Sequence, residues 1–193
     1  KIGALLSITG PASFLGAPEA RTLEMLAADL NARGGVAGRK VQLVVKDTAG
    51  SPEKAISFAK QLVDEEQVFA IIGPATSGET LAVKAIADEG KTLLISCAAA
   101  EAIVNPVGRW VFKTAQKDSH AIAKVFQQMK KAGISRIGVL SSNTGFGKAG
   151  KEQLEKMAPT FGIKVAASET YDSKATDLSA LVAKLKADYE EAG

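Results

Sequence analysis

Apolar residues recur along this chain with two alternating periods. Short aliphatic and β-branched runs at 1–8, 41–47, 68–72, 92–97 and 110–115 have the spacing of strands. Between them the period lengthens. Leu23, Leu26, Ala27 and Leu30 fall at i, i+3, i+4 and i+7, the apolar stripe of a helix over 18–32. Ala55, Phe58, Ala59 and Leu62 do the same behind a Ser51 cap, with Pro52 at the first helical position. A third helix opens at Thr76, with Leu81, Ala82, Ala85 and Ile86 as its predicted buried face. The order β-α-β-α-β-α-β-loop-β predicts an α/β fold with a parallel, doubly wound sheet and right-handed crossovers.

After residue 115 the pattern restarts. Asp118 is predicted to cap a helix whose inward face is Ile122, Val125, Phe126 and Met129. A strand over 136–141, a helix over 148–161 and a strand over 164–171 follow. Thr176 then opens a last helix with Leu178, Leu181, Val182 and Leu185 in register. The division expected is a first α/β lobe over 1–117 and a partial second lobe over 118–193. Two strands make a thin sheet, so the second lobe reads as incomplete.

In sheets of this kind ligands bind beyond the carboxyl ends of the strands. That edge carries Phe14 and Leu15 in a turn-rich loop over 9–16, then Asp47, then Ser77 and Gly78, then the loop from Cys97 to Ala100. The two large apolar residues at 14 and 15 either tuck into the core or line an apolar pocket. The strand, turn and helix over 69–81 organise the rest. Thr76 and Glu79 stand at capping-box spacing. Ser77 and Gly78 then open the first turn, where backbone N–H groups lack helical partners and the dipole is positive. A carboxylate or phosphate fits there; an ordinary solvated helix start is the plainer alternative.

Composition narrows the function. The chain of 193 residues is 46% hydrophobic and 23% charged with a net charge of +3, and Lys and Glu alternate along the helices. No basic face for nucleic acid results. No apolar run has the length of a membrane span. The chain opens directly on a strand without Met, which suggests a processed or trimmed N-terminus and is compatible with export. One cysteine, Cys97, forms no internal disulfide, and one histidine, His120, leaves no His/Cys metal cluster. His120 reads as a surface or inter-lobe residue and Cys97 as a small buried hydrophobe, so no catalytic residue, metal or cofactor is expected. One motif points elsewhere. Gly145-Phe-Gly-Lys-Ala-Gly150 matches the dinucleotide fingerprint, with Glu169 at the appropriate distance. However, Ser141 to Thr144 separate it from its strand. Its plainer reading is a turn shaped by Gly145 and Gly147, with Gly150 packing the helix on the sheet.

Several stretches together resemble the periplasmic leucine/isoleucine/valine-binding family. They are Leu26-Ala-Ala-Asp-Leu-Asn-Ala-Arg-Gly-Gly-Val-Ala-Gly-Arg39, Asp47-Thr-Ala-Gly-Ser-Pro52, Ile71-Ile-Gly-Pro-Ala-Thr-Ser-Gly78, Leu94-Ile-Ser96, Phe112-Lys-Thr114, Asn143-Thr-Gly-Phe-Gly147 and Thr176-Asp-Leu-Ser179. The resemblance spans essentially the whole chain, in order. It implies a type I solute-binding protein of an ABC importer: periplasmic, not an enzyme, closing two lobes on a small carboxylate and meeting a membrane permease. A ligand-sensing domain of a receptor or regulator on the same fold is the near alternative, and a dinucleotide-dependent enzyme the distant one. By resemblance Ser77 meets the ligand carboxylate beside Gly78, the backbone of Ala98, Ala99 and Ala100 lines the site, and Phe14 and Phe146 are its aromatics. In the amino-acid binders a Thr typically stands where this chain has Ala100, and the two aromatics are often Tyr. The implied pocket is less polar and suits an aromatic or aliphatic carboxylate as well as a branched-chain amino acid. The acidic residue that completes the family's amino-group site lies in a region this chain lacks, as do later strands of the second lobe. The sequence therefore reads as a fragment of a longer protein.

Overall fold

A computed structural model describes residues 1–193. They form two compact units, Lys1–Ala115 and Gln116–Gly193. The first unit runs β1 (Ile2–Leu6), α1 (Ser13–Ala32), β2 (Leu43–Asp47), α2 (Pro52–Lys60), β3 (Ala70–Ile72), α3 (Ser77–Glu89), β4 (Leu93–Ser96) and β5 (Val111–Lys113). A π-turn over Gln61–Glu65 extends α2, and a 3-10 turn over Glu101–Ile103 precedes β5. The strands form one sheet in the order β2-β1-β3-β4-β5, every neighbouring pair parallel. This is the parallel α/β sheet that the alternating periods predict. Leu5, Leu6, Ile71 and Leu94 are fully buried within it, as strands covered on both faces require.

Local chemistry fixes where the helices begin. Ser51 caps α2, its hydroxyl accepting from the Lys54 N–H at 3.3 Å, with Pro52 at the first position. Thr76 caps α3 by accepting from the Glu79 N–H at 3.4 Å. Gly73 ends β3 at φ +99°, where a Cβ would lie 2.2 Å from the Leu5 carbonyl oxygen. Only glycine fits such a position.

Two sequence expectations change here. First, α1 starts at Ser13, so Phe14 and Leu15 stand in its first turn and not in a loop. Gly16 brings that turn onto the backbone of Ser7, where a Cβ would lie 2.3 Å from the Ser7 carbonyl oxygen. Pro18 inside the helix withdraws a single N–H. Neither apolar residue enters the core: Phe14 is 73% exposed and Leu15 39%. Second, α3 buries Thr80, Val83 and Ala87, while Ala85 is exposed and Leu81, Ala82 and Ile86 are half-buried. Polar bonds set this rotation. The Glu79 carboxylate and the Thr80 hydroxyl turn inward to Ser7 (2.8 Å) and Ser96 (2.8 Å).

The second unit runs α4 (Asp118–Lys131), β6 (Arg136–Ser142), α5 (Gly145–Met157), β7 (Lys164–Tyr171) and α6 (Ser179–Glu191). Strands β6 and β7 pair in parallel as a two-stranded sheet. Phe126, Ala158 and Ile163 centre its core, with Ile122, Met129, Leu154 and Phe161 against them. The Phe126 and Phe161 rings stand 5.5 Å apart at 53°. Val125 and Val182, expected inward, are about half exposed. Asp118 is the first residue of α4 and Lys117 its N-cap. The last helix begins three residues later than expected. Leu178 is its N-cap and makes no side-chain cap bond; the Asp177 carboxylate just before it accepts from the Ser179 N–H (2.8 Å) and hydroxyl (2.6 Å).

Candidate ligand-binding site

The carboxyl ends of β1 to β4 are stitched together by side chains. At the β2 end, Asp47 Oδ1 accepts from the N–H groups of Ile8 (2.9 Å), Thr9 (3.1 Å) and Ala49 (2.9 Å). Its Oδ2 accepts from the Thr9 hydroxyl at 2.7 Å. Burial raises the affinity of this carboxylate for a proton, but the four hydrogen bonds outweigh it and hold the group below its ordinary value. Asp47 is thus a structural clasp joining the β1–α1 turn to β2.

A second, buried network lies under the α3 N-terminus. Glu79 is fully buried, and its Oε2 accepts from the hydroxyls of Ser7 (2.8 Å) and Thr76 (2.5 Å). In the standard capping box the third-position acid reaches the cap's backbone N–H; here it takes the cap's hydroxyl, which ties α3 to β1. The Thr48 hydroxyl adds β2 by donating to Ser7 at 3.4 Å. Glu19 of α1 approaches the same floor. Burial raises its carboxyl above the ordinary value, the Cys97 hydrogen bond opposes this, and the charge of Glu79 adds to it. Burial also pushes the Cys97 thiol up to about 11, reinforced by Glu19, so at neutral pH it is a thiol and not a nucleophile.

Above this floor stand Ser77 and Gly78. They are the first two residues of α3, so their N–H groups have no carbonyl a turn earlier to bond. Ser77 is only 2% exposed, and its Oγ accepts from the Ala100 N–H at 3.2 Å. With a lone pair held by Ala100, the Ser77 hydroxyl hydrogen points away from that N–H. The result is one hydroxyl and two backbone N–H donors at the positive end of a helix, an arrangement that receives an anion. The loop that orients Ser77 is itself fixed. The Cys97 N–H bonds Pro74 O (3.2 Å), the Ala98 N–H bonds Ser96 Oγ (3.1 Å), and the Ala99 carbonyl accepts from the Lys113 ammonium.

Of the site residues read from the sequence, Ser77, Gly78, Ala98, Ala99 and Ala100 come together on this rim. Phe14 stands at the same sheet edge, exposed on the first turn of α1. Phe146 belongs to the second unit. It lies with Ser142, Gly147 and Tyr171 in a groove of about 380 Å³. A larger hollow of about 450 Å³ runs along β7 and holds none of the predicted site residues. Sequence reasoning missed Lys113, a plain strand residue whose reach to the Ala99 carbonyl depends on β4 and β5 being neighbours.

The glycine motif also takes a definite form. Strand β6 extends to Ser142, so only Asn143 and Thr144 separate it from Gly145, fewer than the sequence implied. The close-packed glycine is Gly147, where a Cβ would lie 2.2 Å from the Ser142 carbonyl oxygen; Gly150 has open space. The Gly147 N–H is already bonded to the Thr144 hydroxyl at 3.1 Å, and Glu169 is paired with Lys184.

A five-stranded parallel sheet in this order, with a second α/β unit after it, defines the type I periplasmic-binding-protein fold. The sequence profile of the periplasmic binding protein family matches residues 1–189, and the chain belongs to that family. A Leu/Ile/Val-binding protein homolog 7 from Brucella abortus (strain 2308) is 26% identical over 196 residues, covering 96% of this chain and 49% of the relative. An extracellular ligand-binding receptor from Rhodopseudomonas palustris HaA2 superposes with a TM-score of 0.85 at 28% identity, over 96% of this chain and 51% of that one. The branched-chain amino acid transporter substrate-binding protein LivJ from Streptococcus pneumoniae, solved with isoleucine, gives 0.80 at 25% identity, over 96% and 53%. The chain spans about half the length of these relatives. No helix is long and apolar enough to cross a membrane.

Proposed function

We propose that this chain is the ligand-capturing part of an extracytoplasmic solute-binding protein that takes a small carboxylate to the permease of an ABC importer. The observation that carries the reading is the Ala100 N–H on Ser77 Oγ, which leaves the hydroxyl as a donor beside the free N–H groups of Ser77 and Gly78. Its relatives support it: one is a Leu/Ile/Val-binding protein homolog and another a branched-chain amino acid transporter substrate-binding protein solved with isoleucine. Phe14, exposed at the same edge, offers an apolar contact to the ligand's tail. The reading involves no chemical step. The site's work is to desolvate a carboxylate and replace its water with three fixed donors.

Isothermal titration on the protein as it occurs tests this, using leucine, 4-methyl-2-oxopentanoate, phenylacetate and a nicotinamide dinucleotide. At least one carboxylate binds, and Ser77→Ala weakens it by about 10- to 100-fold, the loss of one hydrogen bond to a charged group. Binding of the dinucleotide alone, or a carboxylate affinity indifferent to Ser77→Ala, removes the reading.

A further inference from the structure

We propose that Thr80 and Ser96 are positioning residues of the carboxylate anchor: their buried hydroxyls lock the first turn of α3 to the 97–100 loop and so fix the direction of the Ser77 hydroxyl. The inference rests on the anchor at Ser77 argued above and names what aims it.

Both side chains are fully buried. A hydroxyl sealed inside the lobe touches no ligand, so its influence on binding passes through the groups it holds. Those groups form one directed chain. The Ala98 N–H donates to Ser96 Oγ at 3.1 Å, Ser96 and Thr80 share a bond of 2.8 Å, and the Thr80 hydroxyl donates to the Thr76 carbonyl at 2.9 Å. Thr80 has a single hydroxyl hydrogen, and giving it to Thr76 leaves Ser96 as the donor in the shared bond. The Pro74 carbonyl stands 3.5 Å from Ser96 Oγ, so the shorter contact with Thr80 takes the Ser96 hydrogen. Successive bonds of one sense in a buried site polarise and strengthen one another.

The two ends of the chain flank the anchor. Thr76 caps α3 and immediately precedes Ser77. Ala98 lies two residues before Ala100, whose N–H holds Ser77 Oγ at 3.2 Å. That bond stands at the upper end of the usual N–H···O range, so a small displacement of the loop breaks it. The Ser77 hydroxyl is then free to turn away from a bound carboxylate. The other buried tie of α3, from Glu79 to Ser7 and Thr76, holds the helix to β1 and does not reach the loop.

The test is isothermal titration on the protein as it occurs, with whichever of leucine, 4-methyl-2-oxopentanoate and phenylacetate binds most tightly. Thr80→Val removes the hydroxyl and keeps the shape; Thr80→Ser keeps the hydroxyl and loses a buried methyl. These two and Ser96→Ala are made in the wild-type and Ser77→Ala backgrounds, and each is melted to follow stability. Thr80→Val and Ser96→Ala are expected to weaken binding by about 3- to 10-fold. Thr80→Ser lowers the melting temperature yet keeps the affinity within about twofold, a split that a merely structural role does not produce. In the Ser77→Ala background the Thr80→Val and Ser96→Ala losses shrink to less than about twofold, because they act through the group already removed. If Ser96→Ala does not fold, the Thr80 pair decides. The proposal is overturned by wild-type affinity in folded Thr80→Val, by equal losses in Thr80→Ser and Thr80→Val, or by losses that persist undiminished without Ser77. Failure of the anchor itself is distinct: none of the three carboxylates binds, or Ser77→Ala alone leaves the affinity unchanged, and the positioning role falls with it.

Discussion

Ser77 and Glu79, two residues apart on α3, do opposite work. Ser77 faces the rim with a hydroxyl oriented by Ala100; Glu79 faces inward and binds α3 to the sheet. Glu79 and Glu19 place two acidic groups close together in this buried floor, so the floor's protonation matters to the fold. Glu19 is where this is measurable. Its carboxyl is raised above the ordinary 4.5 in the folded protein, first by burial and then by Glu79. A raised carboxyl binds its proton more readily when folded than when unfolded. Its contribution is most favourable below the unfolded value and declines as pH climbs through the folded one. Glu19→Gln removes that dependence. Thermal melts from pH 4 to pH 8 should show the variant gaining on the wild type as pH rises; a constant difference across the range would place Glu19 outside the network. Asp47 has the opposite sign. Held below its ordinary 3.8, it contributes stability above that value and loses it as acid titrates the folded group.

At the scale of elements, glycine and cap positions decide where helices meet strands. Thr76→Ala removes the α3 cap and costs about 1 kcal/mol of stability. The second unit permits a sharper contrast. Gly147 sits on the Ser142 backbone, whereas Gly150 faces open space. Gly150→Ala should be neutral or slightly stabilising, since alanine is the better helix former. Gly147→Ala should lower the melting temperature by several degrees as α5 is pushed from β6. Equal effects at the two positions would contradict the packing assigned to them. Strand and helix order was legible from periodicity, as were the Ser51 and Thr76 caps, because those signals are local. The inward face of α3 was not. Hydrophobicity placed Leu81 and Ala85 inward, but hydrogen bonds of Glu79 and Thr80 to other strands fixed the rotation. The start of α1 was missed for a similar reason: Gly16 against Ser7 is a tertiary contact, and turn residues around Pro11 masked the helix.

For the whole molecule, two units with separate cores follow one another along the chain, the first with five parallel strands and the second with two. The proposed carboxylate anchor could be read from the sequence as a candidate because it is built from consecutive residues at a helix start. Lys113 could not, because its role arises only when β5 lies beside β4 and the 97–100 loop crosses their ends. The central claim is that a ligand carboxylate sits on the first turn of α3. A crystal structure of the protein as it occurs, with the tightest carboxylate of the calorimetric panel, tests it most directly. The account predicts carboxylate oxygens at about 2.7–3.2 Å from Ser77 Oγ and the Gly78 N–H. A carboxylate held elsewhere, in the groove beside Phe146 and Tyr171 for instance, with Ser77 untouched, would contradict it.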